Sequence, residues 1–192
     1  MKKIMIMATI AMAAIIANAA TVTWNMTNVY GPDGSTLNSG KAYMFAYTAG
    51  SDSVTASTIA AAIAGAYSSG TLDSYLNDNS VYSWTPASAG TYSDTTKNVD
   101  PEADMGLTAG SSYTFYSVVF DSNTIDDESM FFVTKELANK KVPASSANLL
   151  LSFGTQATAS TAEGAWQAVP EPTSGLLLLL GVAGLALRRK RA

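Results

Sequence analysis

Between residues 20 and 169, short runs of alternating apolar and polar positions are separated by stretches rich in Ser, Thr, Asp, Asn and Gly. In TVTWNMTNVY (21–30), Val22, Trp24 and Met26 alternate with Thr23, Asn25 and Thr27. A period of two puts one set on an apolar face and the other in water, which predicts a strand of an antiparallel sheet. Tyr30 to Gly34 (YGPDG) predicts a turn, with Pro32 setting φ and Gly34 supplying conformational freedom. Lys41 to Thr48 (KAYMFAYT) predicts a second strand. Tyr43, Phe45 and Tyr47 share one of its faces and Ala42, Met44 and Ala46 the other. Both faces are apolar, so this strand belongs at the centre of a sheet. Val81 to Thr85, Ser112 to Asp121, Met130 to Glu136 and Asn148 to Phe153 predict further strands. The strongest is SYTFYSVVFD, where Tyr113, Phe115 and Val119 oppose Thr114, Tyr116, Val118 and Phe120. Ala165 to Val169 (AWQAV) predicts a last strand that runs directly into the C-terminal segment.

One stretch changes period. In VTASTIAAAIAGAYSSG (54–70), Ile59, Ile63 and Tyr67 recur every four residues, on one stripe of a helix. The spacing predicts one short helix over about 56–67, with Thr55 or Ser57 capping its start and Gly70 ending it. Its alanine-rich back suits close packing on a sheet. The expected fold is therefore mainly β: a single antiparallel β-sandwich-like domain over 20–169 with one short helix. No repeat at a fixed period is visible.

The two ends follow other rules. Met1-Lys2-Lys3 precedes an apolar run from Ile4 to Ala17 broken only by Thr9, and Ala17-Asn18-Ala19 follows. A basic start, a short apolar run and a small-x-small site form a secretory signal peptide over 1–19, cleaved beside Ala17 and Ala19. That implies the Sec translocon and signal peptidase as partners and an exported mature chain. At the other end, Gly175 to Leu187 is uncharged and Arg188-Arg189-Lys190-Arg191 follows. As a helix, 13 residues reach about 20 Å at ~1.5 Å per residue, short of the ~30 Å bilayer core. The basic cluster would hold its end in the cytoplasm with the body outside. A span this short suits a temporary hold in the membrane.

Val169-Pro170-Glu171-Pro172-Thr173, the apolar stretch and the basic cluster together resemble the PEP-CTERM sorting signal of bacteria, a tail family also known as the ice-binding protein C-terminal domain. The resemblance covers about the last two dozen residues, and all three parts stand in order. It implies recognition of Pro170, Glu171 and Pro172 by an exosortase, a membrane-embedded transpeptidase-like protease. It also implies delivery to the cell surface or an exopolysaccharide matrix. The prolines agree physically, since they cannot continue a helix and favour an extended, accessible segment. The resemblance implies nothing about the body. A single Thr21-Val22-Thr23 is no threonine array, so the ice label draws no support there.

Charge and composition narrow the chemistry. Six of the 11 basic residues lie in the two ends, leaving the 20–169 segment five lysines against 14 acidic residues. So acidic a body argues against nucleic acid and anionic membrane surfaces as partners. The chain has no Cys and no His, which removes disulfides, zinc-type sites, cysteine nucleophiles and histidine bases. Stability must come from core packing. Asp121, Asp126, Asp127 and Glu128 cluster in DSNTIDDES and could offer oxygen ligands to calcium, but the spacing is not that of an EF-hand loop. The plainer reading is a solvated loop, and Asp100, Glu102 and Asp104 read the same way. No nucleophile elbow or placed carboxylate pair points to a hydrolase, so no catalytic residues and no cofactor are expected. Trp24 sits on an apolar strand face and reads as core. Tyr82 and Trp84 read as the exposed aromatic pair on which a sugar would stack. The expectation is an exported surface or matrix protein with a structural or adhesive role. A lectin-like carbohydrate-binding module is the alternative, and a secreted hydrolase a remote one.

Overall fold

The computed structural model describes residues 20–169 apart from 51–53, 87, 89, 93, 127, 145 and 156–165, with the side chains of 94–98 and 154–155 also outside the description. The expected signal peptide, the PEP motif, the hydrophobic tail and Asp127 therefore lie outside the described residues. Among those described, no helix is long and apolar enough to cross a membrane.

Among the described residues, nine strands and two helices follow one another as β1 (Thr21–Thr27), β2 (Lys41–Thr48), α1 (Ala56–Ser68), α2 (Leu72–Asn79), β3 (Tyr82–Trp84), β4 (Asp94–Val99), β5 (Ser112–Phe120), β6 (Met130–Val133), β7 (Leu137–Lys141), β8 (Asn148–Thr155) and β9 (Gln167–Ala168). The larger sheet runs β3-β2-β5-β6-β9, with β7 also on β5, and the smaller runs β4-β1-β8. The mainly-β, sandwich-like expectation holds. The alternation explains the layers. Ala42 and Met44 of β2 and Phe115 and Val119 of β5 face the small sheet, where they meet Val22, Trp24, Met26 and Leu151 in one core. The intervening Tyr43, Phe45, Tyr116, Val118 and Phe120 face the helices and pack on Ile59, Ile63, Leu72 and Leu76 in a second core. β2 and β5 are apolar on both faces because they form the middle of three layers.

Helix α1 starts and stops as its residues dictate. Thr55 accepts the Thr58 backbone N–H at 3.3 Å while the Thr58 hydroxyl accepts the Thr55 N–H at 2.8 Å, a reciprocal capping box. At the far end the Thr71 N–H reaches the Ala66 carbonyl at 2.8 Å and the Gly70 N–H the Tyr67 carbonyl at 2.9 Å. This Schellman closure needs the left-handed φ of 70° that Gly70 adopts without strain. Thr55→Ala is expected to cost about 1 kcal/mol, read as a lowered urea midpoint with an unchanged m-value.

The structure departs from expectation in four places. A second helix, α2, follows α1 at once, held by Leu72 and Leu76 on one stripe; its polar remainder hides it. The strand expected over Met130–Glu136 stops at Val133 as β6, and an unexpected strand, β7, begins just beyond that range at Leu137; both pair with β5. Between them Thr134 replaces the ladder, its N–H reaching the Ser117 carbonyl and its hydroxyl accepting the Ser117 N–H, both at 2.8 Å. β4 lies in a polar stretch that shows little strand pattern and buries Val99 at the sheet. The sheets are not wholly antiparallel, since β1 and β8 pair in parallel from Thr21↔Asn148 to Thr27↔Thr155. These ends of the domain are far apart in sequence, so no hairpin dictates their direction.

Candidate functional site: the junction of the domain with its tail

The last described residues do not trail off the domain. Gln167 and Ala168 add β9 to the edge of β6 in the register Phe131↔Gln167 and Met130↔Ala168. Trp166 and Val169, on either side of this two-residue strand, are both buried. They are three apart, so in an extended chain they point to opposite faces. Trp166 enters the core between the sheets, with its ring 4.8 Å from Phe132 in an edge contact and its indole N–H donating to the Tyr30 carbonyl at 3.0 Å. Val169 enters the core beneath the helices, and its N–H donates to the Ser129 carbonyl at 3.1 Å. The chain thus clasps the sheet edge from both sides. Pro170 comes next in sequence and has no N–H to continue the ladder.

The edge that receives the clasp is built by the acidic loop. Asp121 Oδ1 accepts the Met130 N–H at 2.8 Å, and the Asp121 N–H donates to the Met130 carbonyl at 3.0 Å. Asp126 Oδ1 accepts the Ser129 hydroxyl at 2.9 Å and the Glu128 N–H at 3.2 Å, while Ser129 Oγ accepts the Asp126 N–H at 2.9 Å. Ser129 itself is buried. These carboxylates close the turn between β5 and β6 and present the Ser129 carbonyl to Val169. Among the described residues no three acidic side chains converge as a metal-binding group, and Asp127 lies outside them. Asp100, Glu102 and Asp104 also serve a turn. Asp100 Oδ1 accepts the Glu102 and Ala103 N–H groups, Asp104 Oδ2 accepts that of Asp100, and Glu102 Oε1 that of Ala109.

The expected exposed pair is corrected. Trp84 is buried and Tyr82 half-buried, with their rings 5.2 and 4.8 Å from Trp24. β3 pairs Trp84 with Ala42 and Tyr82 with Met44, the β2 face that looks at the small sheet, so both rings turn into the core. Trp24 is core, as its strand pattern predicts. Sequence reading missed Ser129, and nothing in the chain pattern distinguishes it from its neighbours.

Burial shifts several titrating groups here. The Asp121 carboxyl lies above its ordinary value, chiefly through burial and further through the charge of Asp126, against the lowering hydrogen bond from Met130. Tyr92 donates to the Ser39 carbonyl at 2.9 Å and is held above the tyrosine range by burial and then by Asp121. Tyr47 is pushed up to about 12, mainly by burial. Tyr75 and Tyr116 are raised, also by burial first. The unfolded chain loses these protons near pH ~10 while the folded chain keeps them. Stability is therefore expected to hold up to about pH 10 and to fall beyond it. A fully buried tyrosine such as Tyr92 would contribute at most about 1.4 kcal/mol per pH unit. Urea midpoints measured across this range, with tyrosinate absorbance of the folded protein alongside, check the sign.

Residues 168–191 match the family model described as the PEP-CTERM protein-sorting motif. No curated protein and no solved structure matches the chain. The match begins at Ala168, inside β9, so the sorting motif starts while the chain is still part of the folded sheet. The chain carries this sorting motif, which marks an exported protein held by a C-terminal membrane anchor until an exosortase processes it.

Proposed function

From a chain whose tail is an exosortase sorting motif, we propose a surface or extracellular-matrix protein with a non-catalytic, structural or adhesive body. Sec and signal peptidase deliver it, and the exosortase releases it from the membrane. The observation that carries this reading is the clasp: Val169, buried and hydrogen-bonded to Ser129, stands one residue before Pro170. A domain whose last described strand and buried Val169 precede the Pro-Glu-Pro tripeptide can be cut free beyond Val169 without losing any of its described fold. Its acidic body is suited to an aqueous exterior and is repelled by anionic lipid once the tail is gone. Fractionation of the native host tests this. The protein is expected in the surface or extracellular fraction of wild-type cells and in the membrane fraction when the exosortase is deleted. Equal release in both strains would sink the proposal.

A further inference from the structure

The sorting role leaves unused a cleft of about 260 Å³ at the end of the large sheet near the start of α1. β2 contributes Tyr47, β5 contributes Thr114 and Tyr116, α1 its capping Thr55, and the chain from Glu136 into β7 contributes Glu136 and Asn139. Tyr116 is buried, with its hydroxyl 2.9 Å from the Val54 carbonyl and 3.1 Å from Glu136 Oε2. The one hydroxyl proton of Tyr116 thus faces two acceptors, and the hydroxyl holds one oxygen of the otherwise exposed Glu136 carboxylate. Tyr47 is half-buried, its ring edge-on to Tyr116 at 6.3 Å and parallel to Phe45 at 6.5 Å, so its orientation is set from two sides. Asn139 lines the cleft from a left-handed backbone, φ 53°, which asparagine adopts more readily than other non-glycine residues, in the strand whose register shifts against β5.

The chemistry of this lining selects among ligands. Its described lining residues offer an aromatic ring, one carboxylate, one amide and several hydroxyls, and none of those residues is a cation. An anion would meet Glu136 without a counter-charge. A metal ion would find a single carboxylate among the described lining residues. A neutral polyol suits every group: the carboxylate accepts from neighbouring hydroxyls, the amide both donates and accepts, and the ring covers the C–H face of a pyranose. The volume is below the ~300–1,000 Å³ of drug-sized sites, so it matches one sugar ring, not a long chain segment. We propose that this cleft binds a single neutral sugar residue of a polysaccharide, packed on Tyr47 and hydrogen-bonded through Glu136 and Asn139. This deepens the adhesive reading and rests on it for its setting. Binding by the purified protein is measured independently of tail processing, so failure here leaves the export route standing.

The test is titration of the exported protein, recovered from its host, with malto-, cello-, manno- and galacto-oligosaccharides, and with polygalacturonate as the charged control. At least one neutral series is expected to bind in the millimolar range or tighter, and polygalacturonate not to bind. Tyr47→Ala and Glu136→Gln are each expected to weaken that binding about tenfold, while Tyr47→Phe keeps it. Unchanged tryptophan fluorescence would show that the variants are folded. Absence of binding by every neutral probe overturns the proposal. So does preference for polygalacturonate, or equal binding by folded Tyr47→Ala and Glu136→Gln proteins.

Discussion

Mature protein from its native host is expected to end after Val169 and before Arg188, and protein from a host without the exosortase to retain Arg191. The effect is all-or-none and is read by intact mass. Its lower bound comes from the fold. Trp166 fills a space between the sheets and Val169 one beneath the helices, with Gln167 and Ala168 paired to β6 between them. A protease that needs an extended strand cannot take these residues without opening the sheet edge. The next five residues, 170–174, contain the two prolines of the motif and reach at most about 17 Å when extended. The body must therefore lie close to the membrane while the tail is held there. The upper bound comes from length. As a helix, Gly175 to Leu187 would span about 20 Å against a ~30 Å hydrocarbon core, so the basic cluster would carry much of the hold. A mature end within 166–169, or released protein still carrying Arg191, would contradict this account.

Trp24→Ala is expected to destabilise the domain by about 3–5 kcal/mol, a large part of the ~5–15 kcal/mol typical of a domain. Trp24 is fully buried, and its ring meets Tyr82 and Trp84 at 4.8 and 5.2 Å. It lies on β1, whose neighbours β4 and β8 complete the small sheet, so a cavity there loosens one sheet against the other. At this domain size the melting temperature should fall by roughly 6–20 °C. Trp24→Phe separates packing from polarity. The indole N–H of Trp24 is buried without a hydrogen-bond partner, and an unmet donor of this kind costs about 1–3 kcal/mol. Phenylalanine removes that donor and keeps most of the ring, so its net cost should be well below that of alanine. Calorimetry of both variants checks the order. A loss under about 1 kcal/mol for Trp24→Ala would mean that the sheets do not depend on this ring.

Strong alternation was legible without coordinates because burial on a sheet obeys a local period. Lys41–Thr48 is β2 to the residue, and its two apolar faces place it in a middle layer. Ile59 and Ile63 likewise point α1 at the sheet. Polar segments gave no such signal. Leu72 and Leu76 are enough to seat α2, and Val99 to seat the end of β4, but few apolar residues among many polar ones read as loop. The sense of β8 beside β1 was equally hidden, because more than a hundred residues separate the paired positions.

The sorting motif needs no fold to be recognised. Another protein reads it as a contiguous stretch, so order and composition along the chain carry its whole meaning. The chain pattern therefore settles the tail, the middle strands and the main helix. Tertiary structure decided whatever depends on which residues meet. It turned Tyr82 and Trp84 inward because β3 pairs with the face of β2 that looks at the small sheet. It made the acidic loop a turn that presents Ser129 to Val169, and it brought Tyr47, Tyr116 and Glu136 to one cleft. Contacts across such separations are set by packing of whole layers, and no local period records them.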